Sequence, residues 1–126
     1  MQKVLVIDDD PVIARLVKIM LGLQNYEVVT TESVTDALEV MREMVPDVIC
    51  CDLMMPDIGG LDFLEQRQQM PDIAHIPVVV ISGVGKQSWF DRAYELGAAI
   101  CLAKPFNATQ LIEAIEKALA TKTAVS

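Results

Sequence analysis

The sequence predicts an α/β protein, a doubly wound (βα)5 unit in which a five-stranded parallel sheet carries helices on both faces. Two observations carry this. Short apolar runs alternate five times with longer stretches whose apolar residues recur at helical spacing, as at Val4 to Ile7, Val48 to Cys51 and Val78 to Ile81. These runs are uninterrupted rather than alternating with polar residues, which suits strands buried on both faces.

Size and composition narrow the class further. At 126 residues, 52% of them hydrophobic, the chain is expected to be one domain over residues 1–120, with 121–126 as a tail or the start of a linker. No run approaches the ~18 apolar residues of a membrane span, and Val4 to Ile7 meets three aspartates at once, unlike a signal peptide. A soluble, cytoplasmic protein is the expectation. The net charge of -8 argues against a nucleic-acid surface, which needs clustered Lys and Arg. The three cysteines have no metal-ligand spacing; Cys50 and Cys51, as strand neighbours, should point to opposite faces.

The elements follow in order. Lys3 to Ile7 is a strand, and Pro11 suits the first position of a helix capped by Asp10 and running to about Gln24, with Ile13, Leu16, Val17, Met20 and Leu21 as its inward face. Tyr26 to Thr30 is a more polar strand, as at a sheet edge. Ser33, with Asp36 three residues on, starts a second helix through Leu38 and Met41. The central run Val48 to Cys51 ends in Asp52 and meets Pro56; a turn over Pro56 to Gly60 leads to a third helix from about Leu61 to Gln69. Pro77 to Gly83 is a strand ending in a hydroxyl and a glycine. A fourth helix, about Lys86 to Leu96, closes at Gly97. Ala99 to Leu102 is the fifth strand, and Asn107 caps a fifth helix carrying Leu111, Ile115 and Leu119.

Asp52 is the residue that needs explaining. A carboxylate at the end of a buried strand must be paired or metal-bound, unless it merely caps a turn. In open parallel sheets ligands bind beyond the carboxyl ends of the strands, a rule that selects Asp8, Asp9, Asp52, Ser82 and Lys104 together. Three converging carboxylates repel one another, and a divalent cation relieves this best. Mg²⁺ suits carboxylate and carbonyl oxygens and bridges to phosphoryl groups. Lys104 offers a compact positive charge and Ser82 a hydroxyl, both suited to phosphoryl oxygens. Aspartate itself can form an aspartyl-phosphate. A flavin binder shares the alternation of strands and helices, but Asp8 and Asp9 would repel a phosphate after the first strand, and no glycine-rich nucleotide loop is present.

Val6-Ile7-Asp8-Asp9-Asp10, Cys51-Asp52-Leu53-Met54-Met55-Pro56, Val80-Ile81-Ser82-Gly83 and Ala103-Lys104-Pro105-Phe106, in this order and spacing, resemble the receiver domain of two-component response regulators. The resemblance spans about Lys3 to Leu119. It implies a flavodoxin-like strand order of 2-1-3-4-5 and a signalling domain that catalyses only its own phosphorylation and dephosphorylation. By resemblance, Asp52 accepts a phosphoryl group from a sensor histidine kinase or phosphotransfer protein. Asp8, Asp9, Asp52 and the Met54 backbone carbonyl hold Mg²⁺, Lys104 pairs with the phosphoryl oxygens, and Ser82 swings in to hydrogen-bond them. A cis bond at Lys104-Pro105 and a downstream protein target or a missing output domain are further implications.

The sequence departs from the family pattern at Cys101, where many receivers carry Tyr or Phe. Cys101 reads as a core-sized replacement or, more sharply, as a redox-sensitive thiol. Helix five, with Lys117, also lacks the charged pattern of receivers that dimerise through their fourth and fifth helices. Trp89, Phe90 and Tyr94 cannot all face the core, so at least one is expected at the surface as a partner contact or as packing. A receiver-like interaction module that signals without phosphate is the alternative to a phosphoryl acceptor.

Overall fold

The computed structural model describes residues 1–55, 58–83 and 87–124. Within them β1 (Lys3–Ile7), β2 (Glu27–Thr31), β3 (Val48–Asp52), β4 (Val78–Ser82) and β5 (Ile100–Ala103) alternate with α1 (Pro11–Gly22), α2 (Val34–Met41), α3 (Gly60–Gln68), α4 (Gln87–Glu95) and α5 (Ala108–Ala124). The strands are parallel throughout, in the order β2-β1-β3-β4-β5. This is the architecture and strand order expected from the sequence.

Strand periodicity divides the core in two. Val4, Val6, Cys50, Val79 and Ile81 pack with Val17 and Leu21 of α1 and Leu111, Ile115 and Ala118 of α5. Their neighbours Leu5, Ile7, Ile49, Cys51, Val78 and Val80 pack on the other face with Ala37, Phe63, Leu64 and Ala93 of α2, α3 and α4. Cys50 and Cys51 thus lie on opposite faces, as their adjacency requires. Each fully buried Leu, Ile or Val contributes roughly 1.5–3 kcal/mol, so these two clusters are the main stabilising force of the domain.

Local signals set the helix starts. The Asp10 carboxylate accepts from the Val12 and Ile13 amides, with Pro11 at the first helical position. The Ser33 hydroxyl accepts from the Asp36 amide at 3.1 Å. At α5, Asn107 Oδ1 accepts from the Gln110 amide at 2.8 Å while Gln110 Oε1 accepts from the Asn107 amide at 2.9 Å, a reciprocal pair that satisfies two otherwise unpaired donors.

Three features differ from the sequence reading. Leu16 is exposed, and the buried positions of α1 are Ala14, Val17 and Leu21. The apolar content of this helix is wide enough to offer two stripes, and periodicity does not say which faces the sheet. The helix also ends at Gly22, because Asn25 takes a left-handed conformation (φ 66°) that returns the chain to β2. α5, finally, runs on to Ala124, past Leu119. The expected Pro56-Asp57 portion of the turn, Lys86 as the start of the fourth helix, and Val125-Ser126 lie outside the described residues.

One connection was invisible in the sequence. The Arg67 guanidinium is buried and its Nε donates to the Ile76 carbonyl at 3.1 Å, while Gln68 Nε2 donates to the Leu96 carbonyl at 2.6 Å. α3 is thereby tied to the segment before β4 and to the end of α4. There Gly97 turns the chain with φ 100°, a conformation that favours glycine.

Gly60 sets how closely α3 approaches the end of β3. A Cβ there would lie 2.7 Å from the Asp52 carbonyl oxygen and 2.9 Å from Leu53 Cα, whereas at Gly22 it would meet nothing within 4 Å. Gly60→Ala should therefore destabilise by about 1–3 kcal/mol through backbone overpacking. Gly22→Ala should stabilise by about 0.5–1 kcal/mol through helix propensity and a less flexible unfolded chain. Urea denaturation of the two variants checks both signs.

Candidate functional site

The strand order reverses direction between β1 and β3, and the site lies at their carboxyl ends. Asp8 follows β1 directly. Its amide donates to the Thr31 carbonyl at 3.1 Å, and its Oδ1 accepts from the Asp10 amide at 2.9 Å. Asp10 in turn caps α1, so the turn out of β1 is held by two carboxylates with different tasks. Asp52 is the last residue of β3. Asp8 and Asp52 are buried and Asp9 is exposed, and carboxylate oxygens of the three lie within 4.8 Å of one another.

Lys104 reaches this cluster from beyond β5. Its amide donates to the Ser82 carbonyl at 2.9 Å, which joins the ends of β4 and β5. Its stem passes Gly83, where an added Cβ would lie 3.7 Å from Lys104 Cβ. The ammonium then stands 3.6 Å from Asp8 Oδ2 and 3.6 Å from Asp52 Oδ2. The Lys104–Pro105 peptide is cis, as the resemblance implied. Ser82 is buried at the end of β4, the neighbour of β3. Asp8, Asp9, Asp52, Ser82 and Lys104 are therefore brought to one end of the sheet. Met54 lies two residues past Asp52 with its side chain exposed, and its backbone amide hydrogen-bonds the Asp52 carboxylate.

The cluster is electrostatically loaded. Burial raises the Asp52 carboxyl above its ordinary value, and Asp8 and Asp9 push it the same way, against the pull of Lys104 and the Met54 amide. Burial likewise raises Asp8, opposed by the Asp10 amide and by Lys104. A single ammonium thus faces two buried carboxylates with a third beside them. Oxygen-only donors in this number suit a hard divalent cation such as Mg²⁺.

Cys101 sits half-buried on β5 against α4. Burial pushes its thiol up to about 11, so at neutral pH it is protonated and a poor nucleophile. A core-sized replacement fits this better than a reactive thiol. The sequence reading missed its neighbour. The Tyr94 hydroxyl accepts from the Cys101 amide at 3.0 Å, so an aromatic side chain of α4 contacts the backbone of β5 here. Trp89 and Phe90 are half-buried and Tyr94 is exposed, which meets the expectation that at least one of the three lies at the surface.

Residues 4–116 match the response regulator receiver domain family. The chain belongs to that family. It is 31% identical over 118 residues to the chemotaxis protein CheY of Bacillus subtilis, covering 93% of this chain and 97% of that one. It is 25% identical to the polar-differentiation response regulator DivK of Brucella ovis, covering 94% and 96%. Among solved structures, a response regulator receiver domain protein from Clostridium thermocellum superposes with a TM-score of 0.90 at 31% identity over all of both chains. A putative response regulator from Chloroflexus aurantiacus does so with 0.90 at 29%, covering 94% and 98%.

In this receiver the raised carboxyls have a consequence for stability. A carboxyl raised by folding contributes stability that is complete below its ordinary value of 3.8 and is lost as the pH rises through the folded value. Without divalent cations, Asp52→Asn should therefore melt a few degrees above the unaltered receiver at neutral pH. The gap should close as the solution is acidified. Melting curves across pH check this, and a variant that melts lower at neutral pH would show that the Lys104 ion pair outweighs the burial and repulsion.

Proposed function

We propose that this receiver is a phosphoryl-accepting signalling domain of a two-component system. Asp52 takes a phosphoryl group from the phosphohistidine of a sensor histidine kinase or phosphotransfer protein. The observation that carries the reading is the convergence of three carboxylates and one ammonium at a single strand end in a member of the receiver family. A module that only bound other proteins would have no chemical reason to keep buried like charges together.

The transfer divides among named groups. An Asp52 carboxylate oxygen attacks phosphorus as the N–P bond breaks, and the leaving imidazole nitrogen keeps the bonding electrons. Lys104, already 3.6 Å from Asp52, exchanges part of its ion pairing for the phosphoryl oxygens. Ser82, at the adjacent strand end, donates its hydroxyl to one of them. Asp8, Asp9, Asp52 and the Met54 carbonyl would hold Mg²⁺, which supplies further positive charge against the equatorial oxygens. Movement of Ser82 toward the phosphoryl group carries its loop inward, and this shifts the domain between inactive and active conformations read by a downstream protein or an attached output domain. The reading places the chain in the cytoplasm with its phosphodonor. No described helix is long and apolar enough to cross a membrane.

Incubation with acetyl phosphate and Mg²⁺ followed by intact-mass measurement tests this. The unaltered protein should gain one phosphoryl group and Asp52→Asn none. No adduct on the unaltered protein, or an equal adduct on Asp52→Asn, would contradict the assignment.

A further inference from the structure

A pocket of about 330 Å³ opens where the first turns of α3 and α4 meet the chain leaving β3, lined by Leu53, Met54, Met55, Leu61, Asp62 and Trp89. Asp62 is the third residue of α3 and Trp89 the third of α4. Leu53 is buried, and Met55, Leu61 and Trp89 are half-buried and pack against the core on this face of the sheet. The apolar walls are thus held in place by core packing, as in a preformed ligand site.

Charge selects what such a pocket takes. Asp62 is the one charged residue of the lining and is exposed. Among the described residues its carboxylate has no hydrogen-bond or ion-pair partner. The start of a helix favours an acid at this position but supplies no cation to meet it. The Lys104 ammonium at the same end of the sheet is already engaged, 3.6 Å from Asp8 and 3.6 Å from Asp52. Leu53 and Met54 follow Asp52 directly, so the pocket adjoins the three strand-end carboxylates in a chain of net charge -8. That field repels anions and concentrates cations. An indole wall beside a carboxylate attracts an ammonium through the ring quadrupole as well as through charge. Methionine side chains adapt to the shape of an apolar body.

We propose that this pocket binds a small amphipathic ammonium, its apolar body against Leu53, Met55, Leu61 and Trp89 and its cationic head at Asp62. A neutral ligand would leave the Asp62 carboxylate unpaired, and an anion would be repelled. With one exposed ion contact and a small apolar body, the affinity should be weak, with Kd about 1 mM. The site is independent of phosphoryl transfer to Asp52.

Trp89 is the single tryptophan of the chain, so its emission reports on this pocket directly. Titration with phenethylammonium chloride at constant ionic strength should change that emission saturably, with half-saturation near about 1 mM. 2-Phenylethanol, the same skeleton with a hydroxyl in place of the ammonium, should bind about threefold to fivefold more weakly, the range an exposed ion contact gives. Asp62→Asn, at an exposed position, should fold normally and bind the ammonium no better than the alcohol. The proposal is overturned if the emission does not change or changes without saturating, or if the alcohol binds the unaltered protein as well as the ammonium does. A preference for the ammonium that survives in Asp62→Asn overturns it equally.

Discussion

One ammonium between two buried carboxylates is the constraint on which the site depends. Lys104 spans from the end of β5 to Asp8 after β1 and to Asp52 on β3, so a single ion-pair cluster links non-adjacent strand ends across the sheet. Surface ion pairs are worth little, but here both carboxylates are buried and removal of the cation would leave uncompensated charge. The cluster is nonetheless under-neutralised, since burial, aided by neighbouring carboxylates (Asp9 and Asp10 at Asp8, Asp8 and Asp9 at Asp52), holds Asp8 and Asp52 above their ordinary values. The two apolar clusters on the sheet faces are what let the fold carry this strain. An arrangement short of positive charge and rich in oxygen donors is prepared for a cation and for chemistry that brings one in.

The same strand ends connect the site to the surface. The Lys104 amide is bonded to the Ser82 carbonyl, which joins the ends of β4 and β5. There Cys101 donates its amide to the Tyr94 hydroxyl, and Tyr94 stands partly exposed on α4. A small side chain on β5 and an aromatic one on α4 thus meet here. α4 and β5 are tied at this place by a direct hydrogen bond.

Much of this was legible because its determinants are local. Asp10, Ser33 and Asn107 cap the helices they precede, and each depends on residues within three positions. The strands are uninterrupted apolar runs, and the polar residues that end them were enough to gather Asp8, Asp9, Asp52, Ser82 and Lys104 into one candidate site. What escaped depends on distant partners. The exposure of Leu16 follows from which of two apolar stripes the sheet selects, and the burial of Arg67 from a carbonyl nine residues away. The Tyr94–Cys101 contact joins a helix to the strand after it. The approach of α3 to Asp52 leaves only the trace of the pair Gly59-Gly60, whose second member has no room for a side chain.

The central claim is that the three strand-end carboxylates form a cation site completed by charge and not by packing. Thermal unfolding with and without millimolar Mg²⁺ tests it most directly. A ligand that binds only the folded state raises the melting temperature by mass action. The unaltered protein should be stabilised by Mg²⁺, and Asp9→Ala, altering the exposed member of the cluster, should fold normally and lose that response. An unchanged melting curve in Mg²⁺, or an undiminished response in Asp9→Ala, would contradict the account.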